Sequence, residues 1–327
     1  MGGYLITGGA GFIGSHLIDR LVLTLEKEDK IKVVDNFSTG DLVNIKSNLK
    51  KIEICEGDIC DLKFMTQVSK GIDFIFHLAA FTGVRESIKD PISAHNVNII
   101  GTSNVLLAAG INKVKKVVYS SSSSVYGDSE ERLKQENMTA LVPKSPDGAT
   151  KLVGEVYGDL LSKLYKFQFI KLRYFNVFGP RQKLGKSSAA VIPNFITKLL
   201  RGLRPTIYGD GTQARDFTHV DNVVTANLAA LLTNNPRNNN KTFNIATGTK
   251  ISINKLYKII SKKLGVDIPP LHVDCLTGEV LENCADITSA KKDLGYWVVK
   301  PFDRGLDDRF GFAGLADNGC NLSRGVL

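Results

Sequence analysis

The sequence has little that would tie it to a membrane, a metal or an oxidising compartment. Its 327 residues contain no apolar run approaching the roughly 18 to 20 residues that span a bilayer. The N-terminal stretch MGGYLITGGAGFIG lacks a charged region followed by a signal-type apolar core. A cytoplasmic protein with no membrane partner is therefore expected. The five cysteines, Cys55, Cys60, Cys275, Cys284 and Cys320, are an odd number without C-x-x-C spacing, which argues against a disulfide framework or a zinc site. The five histidines, His16, His77, His95, His219 and His272, form no H-x-x-x-H pair, so no metal is expected. There is no low-complexity block, single-sign tail or fixed-period repeat, and extended disorder is not expected.

What is present describes a large globular chain. Hydrophobic residues make up 43%, enough for substantial cores. The formal charge of +9 comes from scattered lysines rather than a stripe interleaved with aromatics, so it suits an anionic small ligand better than nucleic acid. In the first half, YLITGG, IKVVDN, IEICEGD, FIFHLAA and KVVYSSS read as strands ending in small or polar residues. They alternate with helical patterns at 12–28, 61–69, 93–110 and 148–166. That order implies a parallel sheet covered on both faces. After FIKLRYFNVFGPRQ (169–182) shorter pieces follow: helices through NFITKLLRG, from about Asn222 to Leu232 and through INKLYKIISKKLG, with strands PTIYGDG and TFNIAT between them. A second, smaller region begins near residue 178, with LLTNNPRNNNKTF as a surface loop rather than a linker.

The stretch LITGGAGFIGSHL sets Gly8, Gly11 and Gly14 between a strand and a helix start. In such a turn the glycines permit a tight bend, close approach of backbone to a pyrophosphate, and close packing of helix on strand. The helix N-terminus favours the diphosphate charge. Asp35 lies 21 residues after Gly14 at the end of the second strand, where its carboxylate can accept from both adenosine ribose hydroxyls and repel a 2′-phosphate, so NAD is favoured over NADP. Asp58 suits either the adenine amino group or the N-cap of the helix LKFMTQV.

The spacing G-x-x-G-x-x-G, followed by GDICD, HLAA (77–80), SSSSVYG (121–127) and SPDGATK (145–151), resembles the extended short-chain dehydrogenase/reductase family. LRYFNVFGPRQ and GDGTQARDFTHVDN resemble its nucleotide-sugar members, most closely the UDP-glucose/UDP-N-acetylglucosamine 4-epimerases. The resemblance covers about residues 3–300. It implies an α/β fold, a doubly wound parallel sheet of the Rossmann kind over 1–178, with a smaller, partly interwoven C-terminal α/β substrate region over 179–327. Segments at about 215–250 would pack back on the first region. It also implies a homodimer formed through helices at about 93–110 and 148–166. The implied activity oxidises C4 of a UDP-sugar with tightly held NAD and returns hydride to the other face, with no net redox change. A base must take the sugar hydroxyl proton, and in the family that base is a tyrosinate.

Carried onto this chain, the resemblance implies catalytic roles for Ser122, Lys151 and the residue at position 147. The NAD contacts it implies are Gly8, Gly11, Phe12, Ile13, Gly14, Asp35, Asn36, Asp58, Ile59, Leu78, Ala79, Ala80, Ser120, Lys151 and Tyr174. The UDP-sugar contacts are Ser122, Asn176, Val191, Tyr208, Arg215 and Glu279, with Tyr208 stacking on uracil. Arg215 would bind the diphosphate, since a guanidinium fork fits phosphate oxygens; an Arg215–Asp216 surface ion pair is the alternative. Ser123 and Ser124 stand where related dehydratases carry an acidic pair and decarboxylases a Glu, which disfavours both activities.

Three departures qualify this. Asp147 occupies the tyrosine position. A carboxylate with a reference pKa of about 3.9 is a weak base toward an alcohol, and it ends roughly 3 Å short of a phenol oxygen, so impaired turnover is expected, with a catalytically silent NAD- and UDP-sugar-binding protein as the alternative. On a helix it also stands i, i+4 to Lys151, where an ion pair would form. Leu276 stands where an Arg meets the diphosphate in the family, so weaker nucleotide-sugar affinity is expected; Asn283 stands beside the sugar C2 substituent, and its modest size leaves room for an N-acetyl group. GLDDRFGFAGLADNGCNLSRGVL (305–327) is Gly-rich and aperiodic and lacks an amphipathic terminal helix.

Overall fold

The computed structural model describes residues 2–127, 129, 131–183, 190–275 and 282–308. Seven strands form the main sheet: β1 (Gly3–Thr7), β2 (Lys30–Asp35), β3 (Glu53–Glu56), β4 (Phe74–His77), β5 (Lys116–Ser122), β6 (Gln168–Tyr174) and β7 (Thr242–Ile245). Their order is β7-β6-β5-β4-β1-β2-β3, and every neighbouring pair is parallel. The order reverses between β1 and β4, the crevice where open parallel sheets bind ligands at the carboxyl ends of their strands.

Successive strand residues serve two cores. Ile6, Val33, Phe76, Val118 and Ile170 belong to one, while Leu5, Val34, Ile75, Val117 and Phe169 belong to the other. Because both faces are buried, the strands read as continuous apolar runs rather than alternating ones. Helix α1 (Phe12–Thr24) covers the first face; α2 (Leu62–Val68) lies on the second. Helix α1 stops four residues short of the expected end. Leu25 turns extended there, and the Asp29 carboxylate accepts from the backbone N–H groups of Glu26 and Gly2, at 3.2 and 2.5 Å, which closes the turn.

The expected helix at 93–110 is a run of three pieces preceded by the short α3 (Val84–Lys89). It consists of α4 (Pro91–His95), a wide π turn at Asn96–Gly101 and α5 (Thr102–Ile111). Helix α6 (Pro146–Tyr165) starts two residues before the expected position, because Ser145 caps it by accepting from Gly148 N–H at 3.2 Å and Pro146 fits its first turn. Glycines let α6 lie close on the sheet. A Cβ at Gly154 would fall 2.2 Å from the Tyr119 hydroxyl, one at Gly158 1.9 Å from the Phe169 ring, and one at Gly148 2.5 Å from the Ser124 carbonyl oxygen.

A third core gathers Phe178, Ile207 and Phe217 with α7 (Val191–Leu200) and α9 (Ile253–Leu264), while α8 (Val220–Leu232) belongs to the first core and packs on α1. Between these lie short sheets. One joins Ile251–Ser252, Ala214–Arg215, Glu282–Ala285 and Leu133–Lys134; another pairs Thr206–Tyr208 with Leu271–Val273. Residues 302–308 are helical, so the aperiodic stretch expected from residue 305 begins inside a helix whose Leu306 is buried in the third core. The rest of that stretch, 309–327, lies outside the described residues.

Replacing Gly158 with Ala should destabilise the fold by about 1–3 kcal/mol, since the new methyl must displace the buried Phe169 ring. A thermal melt comparing the two proteins checks this; an unchanged melting temperature would mean that α6 has room to move off the sheet.

Candidate active site

The turn after β1 is built to hold an anion. Gly8 adopts φ +70°, and a Cβ there would meet Ala79 N at 2.6 Å; one at Gly14 would meet the Gly8 carbonyl oxygen at 2.3 Å. Helix α1 opens from Gly11 with no side-chain cap and no acidic residue in its first turn, so its N-terminal N–H groups face outward at the positive end of the dipole. Asp35, buried at the end of β2, accepts from Ala10 N–H and Phe37 N–H, both at 2.9 Å. Each carboxylate oxygen keeps a further lone pair for a ribose hydroxyl. Burial pushes the Asp35 carboxyl up from its ordinary value, against the pull of these two bonds.

Asp58 is not the cap of α2. Asp61 has that place, accepting from Phe64 N–H at 3.0 Å, while Asp58 accepts from Cys60 N–H and from Asn36 Nδ2 at 2.8 and 2.9 Å. Asn36 and Asp58 thus stand side by side at the ends of β2 and β3. At the end of β4, His77 lies buried between Thr7 Oγ1 at 2.7 Å and Thr102 Oγ1 at 2.9 Å, and burial lowers its pKa to about 3. The neutral ring anchors the strand end that carries Leu78, Ala79 and Ala80.

The second cluster forms where β5 meets the start of α6. Lys151 is buried; its ammonium donates to the Ser120 carbonyl oxygen at 3.1 Å and lies 5.5 Å from the centre of the Tyr119 ring. Burial lowers its pKa and the Asp147 charge raises it. Asp147 is also buried, which raises its pKa, while Lys151 and the Ser124 hydroxyl lower it. The two act on each other through space, yet the expected ion pair is not among those of the described residues. Lys151 is drawn to the strand carbonyl, and Asp147 is held by Ser124 Oγ at 3.2 Å. Ser122 accepts from Ser124 N–H at 3.1 Å and stands 2.9 Å from Ser124 Oγ. Ser120 and Tyr174 share a buried hydroxyl contact at 3.1 Å, and Asn227 Nδ2 donates to the same phenol at 2.8 Å.

On the facing side, Arg215 pairs in register with Asn283, whose Nδ2 donates to Ser123 Oγ at 3.1 Å and whose Oδ1 is buried without a hydrogen-bond partner among the described residues. The alternative Arg215–Asp216 ion pair is not among those of the described residues. Asp216 is fully buried and its carboxylate accepts from Thr247 N–H, Thr247 Oγ1 and Gly248 N–H at 2.6 to 2.9 Å. Asn176, at φ +34°, donates to the Asp216 carbonyl oxygen at 3.1 Å. Val191 starts α7, and the Tyr208 ring lies under the Arg85 guanidinium at 5.0 Å. Glu279 and Leu276 lie outside the described residues.

Sequence reasoning missed two contributors. Asn98, buried in the π turn, holds the loop after β4 through Phe81 N–H and the Phe81 carbonyl oxygen at 2.8 and 2.9 Å, and reaches Thr150 Oγ1 of α6 at 3.0 Å. A wide turn of this kind often sits at a functional site, but nothing in the local residues marks it. Ser124, passed over as a missing acid, is the side chain that links Ser122 to Asp147.

This geometry places a dinucleotide cradle and a Ser–Lys corner on the same edge of one parallel sheet. The sequence profile described as "NAD dependent epimerase/dehydratase family" matches residues 4–246. The chain belongs to that family, the NAD-dependent extended short-chain dehydrogenase/reductases. Its relatives there are UDP-sugar enzymes. The chain is 37% identical over 294 residues, 89% of its own length and 92% of the relative's, to a putative UDP-glucose 4-epimerase of Methanocaldococcus jannaschii. Among solved structures it is similar to a UDP-N-acetylglucosamine 4-epimerase from Methanobrevibacter ruminantium in complex with UDP-N-acetylmuramic acid, with TM-score 0.90, 34% identity, and 96% and 99% of the two chains covered. It is also similar to a UDP-glucuronic acid 4-epimerase from Bacillus cereus in complex with UDP-glucuronic acid and NAD, with TM-score 0.87, 31% identity, and 96% and 99% covered.

The cradle of Gly8, Gly11 and Gly14 and the carboxylate of Asp35 fit NAD, which when bound supplies a hydride acceptor. Asp35→Asn should cut the preference for NAD over NADP by roughly tenfold to a hundredfold, the worth of a hydrogen bond to a charged group. Titrating both dinucleotides calorimetrically checks it. An unchanged ratio would take the ribose away from Asp35.

Proposed function

We propose that the chain is an NAD-dependent UDP-hexose 4-epimerase, acting on the UDP-glucose/UDP-galactose pair or its N-acetyl counterpart, with turnover slowed by Asp147. The observation that carries this is the corner at β5 and α6. Ser122 stands at the strand end, and Lys151 is held against Ser120 in the same sheet edge as the dinucleotide cradle. In this reading Lys151 holds the nicotinamide ribose, Ser122 binds the sugar hydroxyl that loses its proton, and Arg215, Asn176, Tyr208 and Glu279 hold the nucleotide. The division near residue 178 into a cofactor-holding and a sugar-holding part belongs to the same reading, as does work in the cytoplasm.

The buried Oδ1 of Asn283, unpartnered among the described residues, favours the N-acetyl pair. An acetamido N–H at the sugar C2 would satisfy it, and a buried acceptor left unmade costs about 1–3 kcal/mol. Relatives named for UDP-glucose and for UDP-N-acetylglucosamine both occur, so turnover of the two sugar pairs by the same protein is the direct comparison.

A dimer is supported by an apolar face shared by neighbouring helices. Ile88, Ile92 and Ile100 are exposed, and so are Val156, Tyr157, Leu160 and Leu164 of α6. Exposed apolar surface of this extent rarely stays bare. Leu160→Glu should therefore yield a monomer in sedimentation or light scattering; a monomeric parent protein would remove the dimer from the reading.

Asp147→Tyr should raise the conversion of the UDP-sugar by roughly 10²- to 10⁴-fold, the usual contribution of a well-placed general base. Coupled assays on both proteins measure it. Equal rates would show that Asp147 is not what limits turnover.

A further inference from the structure

The three side chains Ser122, Ser124 and Asp147 form a continuous line of oxygens at the corner of β5 and α6. Ser122 Oγ and Ser124 Oγ are 2.9 Å apart, and Ser124 Oγ and Asp147 Oδ2 are 3.2 Å apart. The geometry points to a proton relay in which Ser124 connects the hydroxyl of Ser122 to the Asp147 carboxylate, so that Asp147 accepts a substrate proton it cannot reach directly. The proposal rests on the 4-epimerase reading for the position of the sugar hydroxyl beside Ser122, and deepens it by assigning Ser124.

Hydrogen-bond counting orients the line. Ser124 has a single hydroxyl proton and two oxygens within reach, and an ionised carboxylate is the stronger acceptor. The Ser124 hydroxyl can donate either to Ser122 Oγ or to the Asp147 carboxylate; when its one proton turns to the carboxylate, its oxygen is open to accept from Ser122 as that hydroxyl rotates. Ser122 Oγ in turn accepts from Ser124 N–H at 3.1 Å and keeps a lone pair for a ligand hydroxyl. With both hydroxyls turned this way, every proton on the line points toward Asp147. Exposure is graded in the same direction: Ser122 and Ser124 are half-buried, and Asp147 is buried.

The backbone holds the line in place. Ser122 caps the 3-10 turn Ser123–Tyr126, which fixes Ser124 relative to Ser122. Asp147 N–H donates to Ser87 Oγ at 3.1 Å, and Gly148 lets the first turn of α6 approach the Ser124 carbonyl, where any Cβ would collide at 2.5 Å. The charged group acting on Asp147 is Lys151, on the same helix; the neutral Tyr119 phenol lies behind it on β5, and the Ser87 hydroxyl comes from α3. Burial makes the carboxyl a stronger base than an exposed aspartate, and Lys151 tempers that.

The O–H bond of the sugar alcohol breaks and its proton passes to Ser122 Oγ, as the Ser122 proton moves to Ser124 and the Ser124 proton to Asp147, which becomes a neutral carboxylic acid. The sugar carbon becomes a carbonyl as its C–H electron pair leaves as hydride to an oxidised nicotinamide. Return of hydride to the opposite face runs the same line in reverse.

The test combines Ser124→Ala, Ser124→Thr and Asp147→Asn, each singly, with Ser124→Ala in the Asp147→Tyr background, read by turnover, by UDP-sugar and NAD binding, and by the infrared carboxyl band of the protein alone across pH. The relay requires Ser124→Ala and Asp147→Asn each to lower kcat by about a hundredfold or more. Their combination should be no worse than either alone, Ser124→Thr should recover most of the rate, and binding should stay unchanged. Turnover in the parent protein should rise with pH over the range in which the infrared band reports loss of the Asp147 proton, a range displaced above that of an ordinary aspartate. With tyrosine at 147 the penalty of Ser124→Ala should shrink by about tenfold or more. Full turnover in Ser124→Ala, or an equal penalty in both backgrounds, overturns the relay. A protein that binds UDP-sugar and NAD but turns nothing over also overturns it and leaves a catalytically silent binder of both. One that binds no UDP-sugar overturns the 4-epimerase reading itself.

Discussion

The close approach of α6 to the central sheet is the constraint on which the rest depends. Gly148, Gly154 and Gly158 form one face of that helix, and each sits where a Cβ would strike Ser124, Tyr119 or Phe169. Without those three gaps the helix axis would stand off the sheet by the width of a side chain. Lys151 could then not reach the Ser120 carbonyl at 3.1 Å, and Asp147 could not touch Ser124 at 3.2 Å. A packing requirement of the core thus sets the distances of the candidate-site corner. The same helix carries the apolar outer face of Val156, Tyr157, Leu160 and Leu164.

Buried charge around this corner is compensated rather than avoided. Arg173 and Glu155 pair at 2.6 Å behind β5, and Ser121 donates to the same carboxylate at 2.5 Å. The guanidinium also lies 4.7 Å from the centre of the Tyr126 ring, whose hydroxyl donates to Asn244 on β7. Removing one partner of such a pair leaves an unpaired buried charge and costs far more than the pair itself contributes. This network ties the strand end that carries Ser122 to the edge strand β7, giving the serine run a rigid base. Rigid support of this kind lets two hydroxyls and a carboxylate hold a fixed line across a few ångströms.

Much of the fold was legible because its signals are local. Apolar runs of five to seven residues, ending in Gly, Asp or Ser, mark the parallel strands, and the glycine turn with Asp35 marks the cofactor edge. Boundaries were less legible. Helix α1 ends early because Asp29 caps a turn from five residues beyond the last helical residue, and the run at 91–111 hides a π turn whose residues look like any amphipathic helix. The start of α6 was readable in Ser145–Pro146 but was masked by Gly148, a poor helix former that is there for packing.

By itself, the sequence determined the family and the cofactor and singled out candidate site residues, because these rest on residue types at fixed spacings along one chain. Tertiary structure alone decided which of those side chains meet. An i, i+4 spacing suggested that Asp147 and Lys151 pair, and adjacency suggested that Arg215 and Asp216 do. In the fold Lys151 turns to a strand carbonyl, Asp147 to Ser124, and Asp216 to Thr247 and Gly248. Each of these partners is distant in sequence, and burial makes a fixed, well-directed hydrogen bond worth more than a nearer but looser charge.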